Sequence, residues 1–167
     1  ALKTARKGVG EFLLRVHGRA AHAGIEPEKG ASAVLEISRQ LLALDKLANT
    51  IKGATISAGT IVGGTRSNVI PAEAEAHVDV RVVRAQDQRK IEKMLRALRP
   101  IDRRTKLTIT GGFNRPPLER TPQTAELFEK ARRLAKPLGI SLAETAVGGG
   151  SDGNFTAALG VPTLDGL

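Results

Sequence analysis

One histidine, His22, stands among small residues in a predicted loop, where an imidazole could act on a ligand. The segment Gly18–Pro27 reads GRAAHAGIEP and follows a stretch with the alternating pattern of a strand. Gly18 and Gly24 can adopt unusual backbone angles, and the small neighbours let a substrate or another chain approach closely. An imidazole in such a loop can donate or accept a proton near neutral pH. The alternative interpretation is an ordinary surface histidine.

A run of glycines late in the sequence indicates a second loop that could face a ligand. Gly148, Gly149 and Gly150 precede Ser151 and Asp152, and a short helix is predicted to follow. Backbone N–H groups at a helix start can stabilise a carboxylate or an oxyanion. Asp152 could equally be only the N-cap of that helix. Nucleotide binding is not indicated, because the run lacks both the Lys-Ser/Thr ending of a phosphate-binding loop and the Gly-x-Gly-x-x-Gly spacing.

Two further polar side chains could hold a ligand that carries a carboxylate. Arg81 is predicted on the open face of a strand, and Asn68 lies in the loop just before that strand. Arginine offers a planar bidentate fork, and asparagine offers a neutral donor and acceptor. The alternatives are an ion pair of Arg81 with Asp79 or a cross-strand carboxylate, and a turn role for Asn68.

The elements that must position these residues follow from the spacing of the apolar side chains. Strands are predicted over residues 9–17, 54–62, 73–84 and 106–111, and helices over residues 30–47 and 86–98. This β-α-β-β-α-β order predicts an α+β, ferredoxin-like domain, in which two helices cover one face of a four-stranded antiparallel sheet. The other face of the sheet is left for partners or ligands.

The character of the sequence changes near residue 114, where paired glycines and prolines break regular structure. We therefore expect residues 1–7 to be a linker, residues 8–113 to form the ferredoxin-like domain, and residues 114–167 to be an incomplete α/β segment. In that segment we predict a helix that starts at Pro122, a strand over 140–147, a short helix over 155–159 and a strand over 161–164. These few elements cannot close a doubly wound sheet by themselves.

Composition and charge restrict the classes of partner. The 167 residues carry a formal net charge of +9, which attracts nucleic acid, acidic lipids or anionic small molecules without choosing among them. The sequence has four Phe and no Tyr or Trp, which disfavours base stacking, so we expect no nucleic-acid partner. No apolar run approaches membrane-spanning length, so we expect no membrane partner.

Neither a metal site nor a targeting signal is predicted from the residues present. The sequence has no Cys, three His and no metal-binding motif built from them. The first eight residues lack the apolar core of a signal peptide. We expect a cytoplasmic location, with export only if a signal peptide lies in a part of the protein that precedes this chain.

Four segments, taken in order, resemble the M20 family of zinc-dependent metallopeptidases, and glutamate carboxypeptidases in particular. They are RAAHAG at Arg19–Gly24 with Pro27, TRSNVIP at Thr65–Pro71, VDVR at Val78–Arg81 and GGGSD at Gly148–Asp152. The set in this order and spacing is specific and spans nearly the whole chain. The resemblance implies a two-domain enzyme, in which a ferredoxin-like lid domain is inserted into a zinc-binding α/β catalytic domain and commonly mediates dimerisation.

The resemblance also implies roles for residues of the lid. His22 resembles the lid histidine that reaches the active site, typically that of the partner subunit. Such a histidine polarises the scissile carbonyl or stabilises its oxyanion. Asn68 and Arg81 resemble lid residues that help to hold the C-terminal carboxylate of the substrate.

In the C-terminal segment, the resemblance implies substrate contacts. Gly149, Gly150 and Ser151 resemble the glycine-rich loop of the catalytic domain that lies beside the substrate. Arg115, in the sequence Asn-Arg-Pro-Pro, is a further candidate for the same role.

The sequence departs from the pattern of the family at the metal site. In such enzymes the zinc ligands and the general-base glutamate lie before the lid, and a last histidine ligand lies near the C-terminus. The sequence starts at the lid and ends at Leu164–Leu167 without these groups. We therefore expect a pair of zinc ions to be held by residues outside this chain, and no metal ligands within it.

We expect the chain to be the lid and dimerisation domain plus part of the catalytic domain of an M20-type carboxypeptidase. The intact homodimer would hydrolyse the C-terminal amide bond of a peptide or acyl-amino acid, with glutamate as one possible product. The chain alone is expected to be inactive. The main alternative is a non-catalytic dimerisation or small-ligand-binding module without metal, and a basic RNA-binding domain is a third. The subfamily, which could also be aminoacylase, deacetylase or dipeptidase, stays open.

Overall fold

The computed structural model describes residues 1–166, and their patterns of apolar side chains produce strands and helices along the whole chain. In chain order these are β1 (Leu2–Arg6), β2 (Gly8–His17), α1 (Ala33–Ala48), β3 (Thr55–Gly63), β4 (Glu73–Val82), α2 (Ala85–Arg96), β5 (Lys106–Arg115), α3 (Pro122–Ala135), β6 (Glu144–Val147) and α4 (Gly153–Ala158).

Four of the strands form one antiparallel sheet, in the spatial order β3-β4-β2-β5. Helix α1 connects β2 to β3, and helix α2 connects β4 to β5. The predicted ferredoxin-like, α+β fold is therefore confirmed. In this order β3 and β5 are the edge strands, and β3 is exposed along most of its length.

The chain divides into two compact units that do not follow the sequence order. The first consists of Ala1–Gly10, Arg81–Arg89 and the residues from Phe113 onward, and the second of Glu11–Val80 and Lys90–Gly112. The sequence-based domain ranges 8–113 and 114–167 stay predictions.

The core of the second unit is formed by apolar side chains from one face of the strands and from one side of each helix. Residues of β2 and β4 alternate between buried and exposed, with Leu14 and Val80 fully buried. Ile37 of α1 and Ile91 of α2 are also fully buried. Because successive side chains of a strand point to opposite faces, the polar residues of β2 and β4 lie on the other face of the sheet.

Helix α1 begins three residues later than its apolar pattern suggested, because Ser32 caps it. The Ser32 hydroxyl accepts a hydrogen bond from the N–H of Leu35 over 3.2 Å. A side-chain acceptor at this position satisfies one of the free N–H groups at a helix start, so the helix starts at Ala33.

In the first unit, a strand lies where a linker was expected. Residues 1–7 contain β1, which pairs in parallel with β6, and Leu2 lies opposite Glu144. Leu2 and Thr4 are buried, which shows the alternation of a half-buried strand. The partner strand lies about 140 residues away in the sequence, so no local pattern could reveal the pairing.

The last predicted strand, over residues 161–164, does not form. In the described chain, the nearest pairing is an isolated bridge at Asp165, whose carbonyl accepts from the N–H of Lys3 over 2.8 Å. Pro162 has no N–H to donate to a strand ladder, which disfavours a strand over these residues. No helix in the part of the chain that the structure describes is long and apolar enough to cross a membrane.

Candidate functional site

His22 is exposed in the loop after β2, in the second unit. The N–H of Gly24 donates to Nδ1 of His22 over 3.2 Å. A neutral imidazole that accepts a hydrogen bond at Nδ1 carries its proton on Nε2. The loop therefore selects the tautomer that can donate a hydrogen bond from Nε2 to a ligand.

The structure brings the His22 loop and the Asn68 loop together. The N–H of Ala23 donates to the carbonyl of Asn68 over 2.9 Å, and the N–H of Ile70 donates to the carbonyl of Ala21 over 2.9 Å. The backbone of His22 also forms an isolated antiparallel bridge with Val69. Both His22 and Asn68 are exposed, so the two side chains are available on neighbouring, backbone-linked segments.

Of the two glycines in the His22 loop, Gly18 is required for close approach, and neither is required for an unusual backbone angle. Neither Gly18 nor Gly24 has a positive φ, contrary to the expectation from the sequence. A Cβ on Gly18 would collide with the carbonyl oxygen of Ala31, whose N–H and C=O pair with Arg19 over 2.9 Å each. Gly18 therefore lets the start of the loop lie directly against the segment before α1.

A second group of candidate residues lies in the first unit, around the glycine run Gly148–Ser151. Nη1 of Arg6 donates to the carbonyl of Gly149 over 2.9 Å, and the N–H of Ser151 donates to Oδ1 of Asn154 over 2.9 Å. The Ser151 hydroxyl donates to the carboxylate of Asp165. The loop is thus held by side chains on three segments of the chain.

Arg115 lies against this glycine run. A Cβ on Gly150 would approach Cδ of Arg115 to 2.7 Å, so a glycine is needed for the side chain to lie there. The guanidinium lies 5.0 Å from the centre of the Phe155 ring and 3.3 Å from a carboxylate oxygen of Asp152. The structure therefore brings Arg115 and the glycine run together, as required if both contact one ligand.

Asp152 occupies the N-cap position of α4, which was one interpretation of the sequence, but its side chain does not cap the helix. Its side chain makes no capping hydrogen bond to α4, is 96% exposed and pairs with Arg115 instead. Helix α4 is six residues long, so its dipole offers little to an anion.

The predicted site residues fall into two groups, one in each unit. His22 and Asn68 belong to the second unit. Arg115 and Gly149–Ser151 belong to the first, as does Arg81, which lies half-buried near the end of β4.

Three polar residues that the sequence analysis missed support the glycine run. Arg6 and Asp165 form an ion pair, and Asn154 is fully buried. Nδ2 of Asn154 donates to the carbonyl of Pro116 over 2.7 Å and to that of Lys7 over 3.2 Å. In the sequence, only the short distance of Asn154 and Asp165 from the glycines could have indicated this supporting role. Arg6 gave no such signal, because it lies 159 residues from Asp165 in the sequence.

Asp165 carries a negative charge at neutral pH. The hydrogen bond from the Ser151 hydroxyl lowers the pKa of Asp165, burial opposes this shift, and the Arg6 guanidinium adds to it. Among the described residues, no group of three or more His, Cys, Asp or Glu side chains could hold a metal ion. The residues present do not fit a zinc site, and no reaction step is derived through a metal in this chain.

Residues 4–100 match the family model described as the peptidase dimerisation domain, M20_dimer. Carboxypeptidase G2 of Pseudomonas sp. (strain RS-16) is 28% identical over 171 residues, which cover 99% of this chain and 41% of that protein. A probable carboxypeptidase of Arthroderma otae is 33% identical over 132 residues, which cover 70% of this chain and 29% of that protein. The chain thus spans about two-fifths or less of the length of these relatives.

Solved structures share the fold over almost the whole chain. The aminopeptidase PepT of Bacillus cereus superposes with a TM-score of 0.84 at 23% identity, covering 98% of this chain and 44% of that one. An amidase of the hydantoinase/carbamoylase family from Burkholderia multivorans superposes with a TM-score of 0.74 at 21% identity, covering 97% and 40%. At this level of identity the likeness establishes the fold.

Proposed function

Because the chain belongs to the M20 peptidase family, with its dimerisation domain at residues 4–100, we propose that it is part of a zinc-dependent carboxypeptidase. The intact protein hydrolyses the C-terminal amide bond of a peptide or acyl-amino acid, and glutamate is the proposed product. Residues 8–113 are the proposed lid, and residues 114–167 the proposed part of the catalytic domain. The observation that carries the proposal is the exposed His22, held beside Asn68 in the matched domain.

His22 is proposed to act through Nε2 on the carbonyl of the scissile bond. Its Nδ1 accepts from the N–H of Gly24, so Nε2–H is free to donate to the oxygen that becomes negative in the transition state. A fixed donor at such an oxygen stabilises the transition state more than the ground state. The proposed active site for His22 is that of the partner subunit, as in the family it resembles.

Candidate residues for recognition of the substrate are proposed in each unit, taken separately. Asn68 and Arg81 are the proposed ligands of the C-terminal carboxylate from the lid. Gly149, Gly150 and Ser151 are proposed to lie beside the substrate. Arg115 is proposed to bind it as well, since its guanidinium already lies over the Phe155 ring and Gly150 leaves room for its side chain.

Zinc is proposed to be bound by residues outside this chain. When bound, it would supply the activated water for hydrolysis. The chain by itself is accordingly proposed to be inactive.

The lid is proposed to form a homodimer through β3 and α1. Edge strand β3 carries the exposed apolar residues Ile61 and Val62, and α1 carries the exposed Leu35 and Leu42. The unpaired N–H and C=O groups of an edge strand can pair with the same strand of a second copy. Burial of these four apolar side chains would add to that pairing.

The direct test is hydrolysis of N-benzoyl-L-glutamate by the longest native polypeptide that contains this chain, supplied with zinc. His22→Ala should lower kcat by about 100-fold, the usual cost of one oxyanion donor. His77→Ala, which removes another exposed histidine, should leave kcat unchanged. An unchanged kcat in His22→Ala would remove His22 from the mechanism.

The alternative function, a ligand-binding module without metal, is favoured by a groove on the second unit. The groove has a volume of about 600 Å³, and its walls include the Arg15–Glu75 and His17–Glu73 pairs. Metal analysis of the same native polypeptide separates the two functions. Stoichiometric zinc supports the peptidase, and its absence together with no hydrolysis supports the module.

A further inference from the structure

We propose that Arg6 and Asp165 are positioning residues that hold the glycine run Gly148–Ser151 in its binding shape, with the Ser151 hydroxyl serving as their attachment point. The inference rests on the proposed function, because it takes this run to lie beside the substrate. It assigns to the Ser151 hydroxyl a bond within the protein rather than a bond to the substrate.

The geometry ties the run at two points. The carboxylate of Asp165 accepts from the Ser151 hydroxyl and pairs with Nε of Arg6. The same guanidinium donates from Nη1 to the carbonyl of Gly149 over 2.9 Å. Two residues of the run are thus fixed by one ion pair.

The ion pair itself is anchored to the neighbouring strand. The backbone of Asp165 exchanges two hydrogen bonds with Lys3 of β1, over 2.8 and 3.1 Å, and Arg6 is the last residue of that strand. The side chains of Arg6 and Asp165 are only 14% and 22% exposed. Charge-assisted hydrogen bonds with this much burial hold their geometry better than fully exposed ion pairs do.

The polar groups of Ser151 are used inside the protein, and space remains beside the glycines. Its hydroxyl hydrogen goes to Asp165 and its N–H to Asn154. Within the described chain, a Cβ on Gly148 would meet nothing within 4 Å, and a Cβ on Gly149 would meet only Nη1 of Arg6, at 3.9 Å. The side of the run that can receive a ligand is therefore made of glycine backbone, and its shape depends on the ion pair.

Kinetics of the longest native polypeptide that contains this chain, with N-benzoyl-L-glutamate as the probe, test the role of the pair. Asp165→Asn and Ser151→Ala should each raise KM about tenfold with kcat changed less than about twofold, as expected when binding alone is weakened. Glu129→Gln, which removes a partly exposed ion pair with Arg132 on α3, should change neither constant.

The double variant Asp165→Asn/Ser151→Ala distinguishes positioning from direct contact. If both residues act through one bond, the double variant should raise KM no more than about tenfold, like each single variant. A rise of about 100-fold, the product of two independent effects, would show that the Ser151 hydroxyl acts separately from Asp165 and would overturn the proposal.

Hydrogen exchange of the same polypeptide without substrate provides a readout that does not require activity. Asp165→Asn and Ser151→Ala should each raise the amide exchange rate of residues 148–155 about tenfold, while β4 keeps the wild-type rate as a check of folding. Unchanged exchange at 148–155 in both variants would overturn the positioning role even in an active enzyme. Failure of the wild type to hydrolyse any acyl-amino acid would instead refute the proposed function, and the exchange rates would still decide the positioning role.

Discussion

At the scale of single residues, Gly18 and Glu36 stabilise loops of the second unit without a role in chemistry. Gly18 lets the loop of His22 lie against Ala31, and Glu36 on α1 holds the segment after α2. The carboxylate of Glu36 is fully buried and accepts from the N–H groups of Ile101 and Asp102 over 2.8 and 2.9 Å. Both residues therefore stabilise loop backbone that lies outside the helices and the sheet.

Gly18→Ala should destabilise the protein by about 2 kcal/mol, because the new Cβ cannot fit against a backbone carbonyl without moving it. Gly24→Ala is the matched control in the same loop, since its Cβ would meet only the His22 ring, at an ordinary 3.7 Å. The control should change stability by less than about 0.5 kcal/mol. Urea unfolding followed by circular dichroism measures both, and equal effects would contradict the argument from close approach.

Glu36→Gln should also destabilise the protein by about 2 kcal/mol, the cost of a buried donor without an acceptor. A glutamine presents one oxygen and one NH2 group, so its NH2 would face a backbone N–H of Ile101 or Asp102. Burial raises the pKa of Glu36, but the N–H groups of Asp102 and Ile101 and the Gln40 amide together lower it below its usual value. The control is Asp45→Asn, on the exposed side of the same helix, and its urea midpoint should match the wild type.

At the scale of elements, the pairing of β1 with β6 depends on a carboxylate as well as on the backbone. Glu144 of β6 accepts from the Thr4 hydroxyl of β1 over 2.8 Å and from both ends of the Arg120 guanidinium over 2.8 Å. Arg120, followed by Thr4, lowers the pKa of Glu144 from 4.5 to about 2. The ionised form of Glu144 is therefore favoured by folding.

Stability should fall as the pH is lowered from 4.5 towards about 2, because Glu144 takes up a proton more readily in the unfolded chain than in the folded one. Above pH 4.5 its contribution is complete. Glu144→Gln should flatten the dependence of the unfolding free energy on pH in this window. Glu126→Gln, an exposed change on α3, should keep the wild-type slope. Equal slopes in all three proteins would show that this ion pair does not couple folding to protons.

At the scale of the whole molecule, the proposed activity depends on a second copy of the chain. The match to a peptidase dimerisation domain and the exposed apolar residues of β3 and α1 support this assembly. A lid histidine that serves the active site of the partner subunit would make hydrolysis depend on the dimer.

Val62→Lys should weaken the homodimer at least tenfold, because a charged side chain on an edge strand opposes pairing with a second copy. Val62 is 66% exposed in the single chain, so the substitution should leave folding intact. Leu134→Lys changes an equally exposed leucine of α3, outside the proposed interface, and should leave the dimer unchanged. Sedimentation equilibrium measures both, and a wild-type dissociation constant for Val62→Lys would place the interface elsewhere.

Local patterns explain why much of the fold could be predicted. Residues on one face of a strand or helix recur at a fixed short spacing and share the same exposure. This spacing is visible in the sequence as the alternation in β2 and β4 and as the apolar stripes of α1 and α2. The small residues around His22 predicted a loop between β2 and α1, and the structure has a loop there, yet Gly24 needs no special backbone angle. The predicted strand over 161–164 does not form, and Pro162 disfavours it because a proline has no N–H to donate to a strand ladder.

By itself, the sequence determined the order of strands and helices from β2 to β5, the ferredoxin-like plan and the resemblance to M20 peptidases, since each depends on residue types at short spacing. Only the tertiary structure decided that residues 1–7 contain a strand, that Asp152 pairs with Arg115 rather than capping α4, and that Arg6 meets Asp165. Such partners lie far apart along the chain. Which of these residues come into contact depends on how distant segments pack, and a local sequence pattern carries no information about that packing.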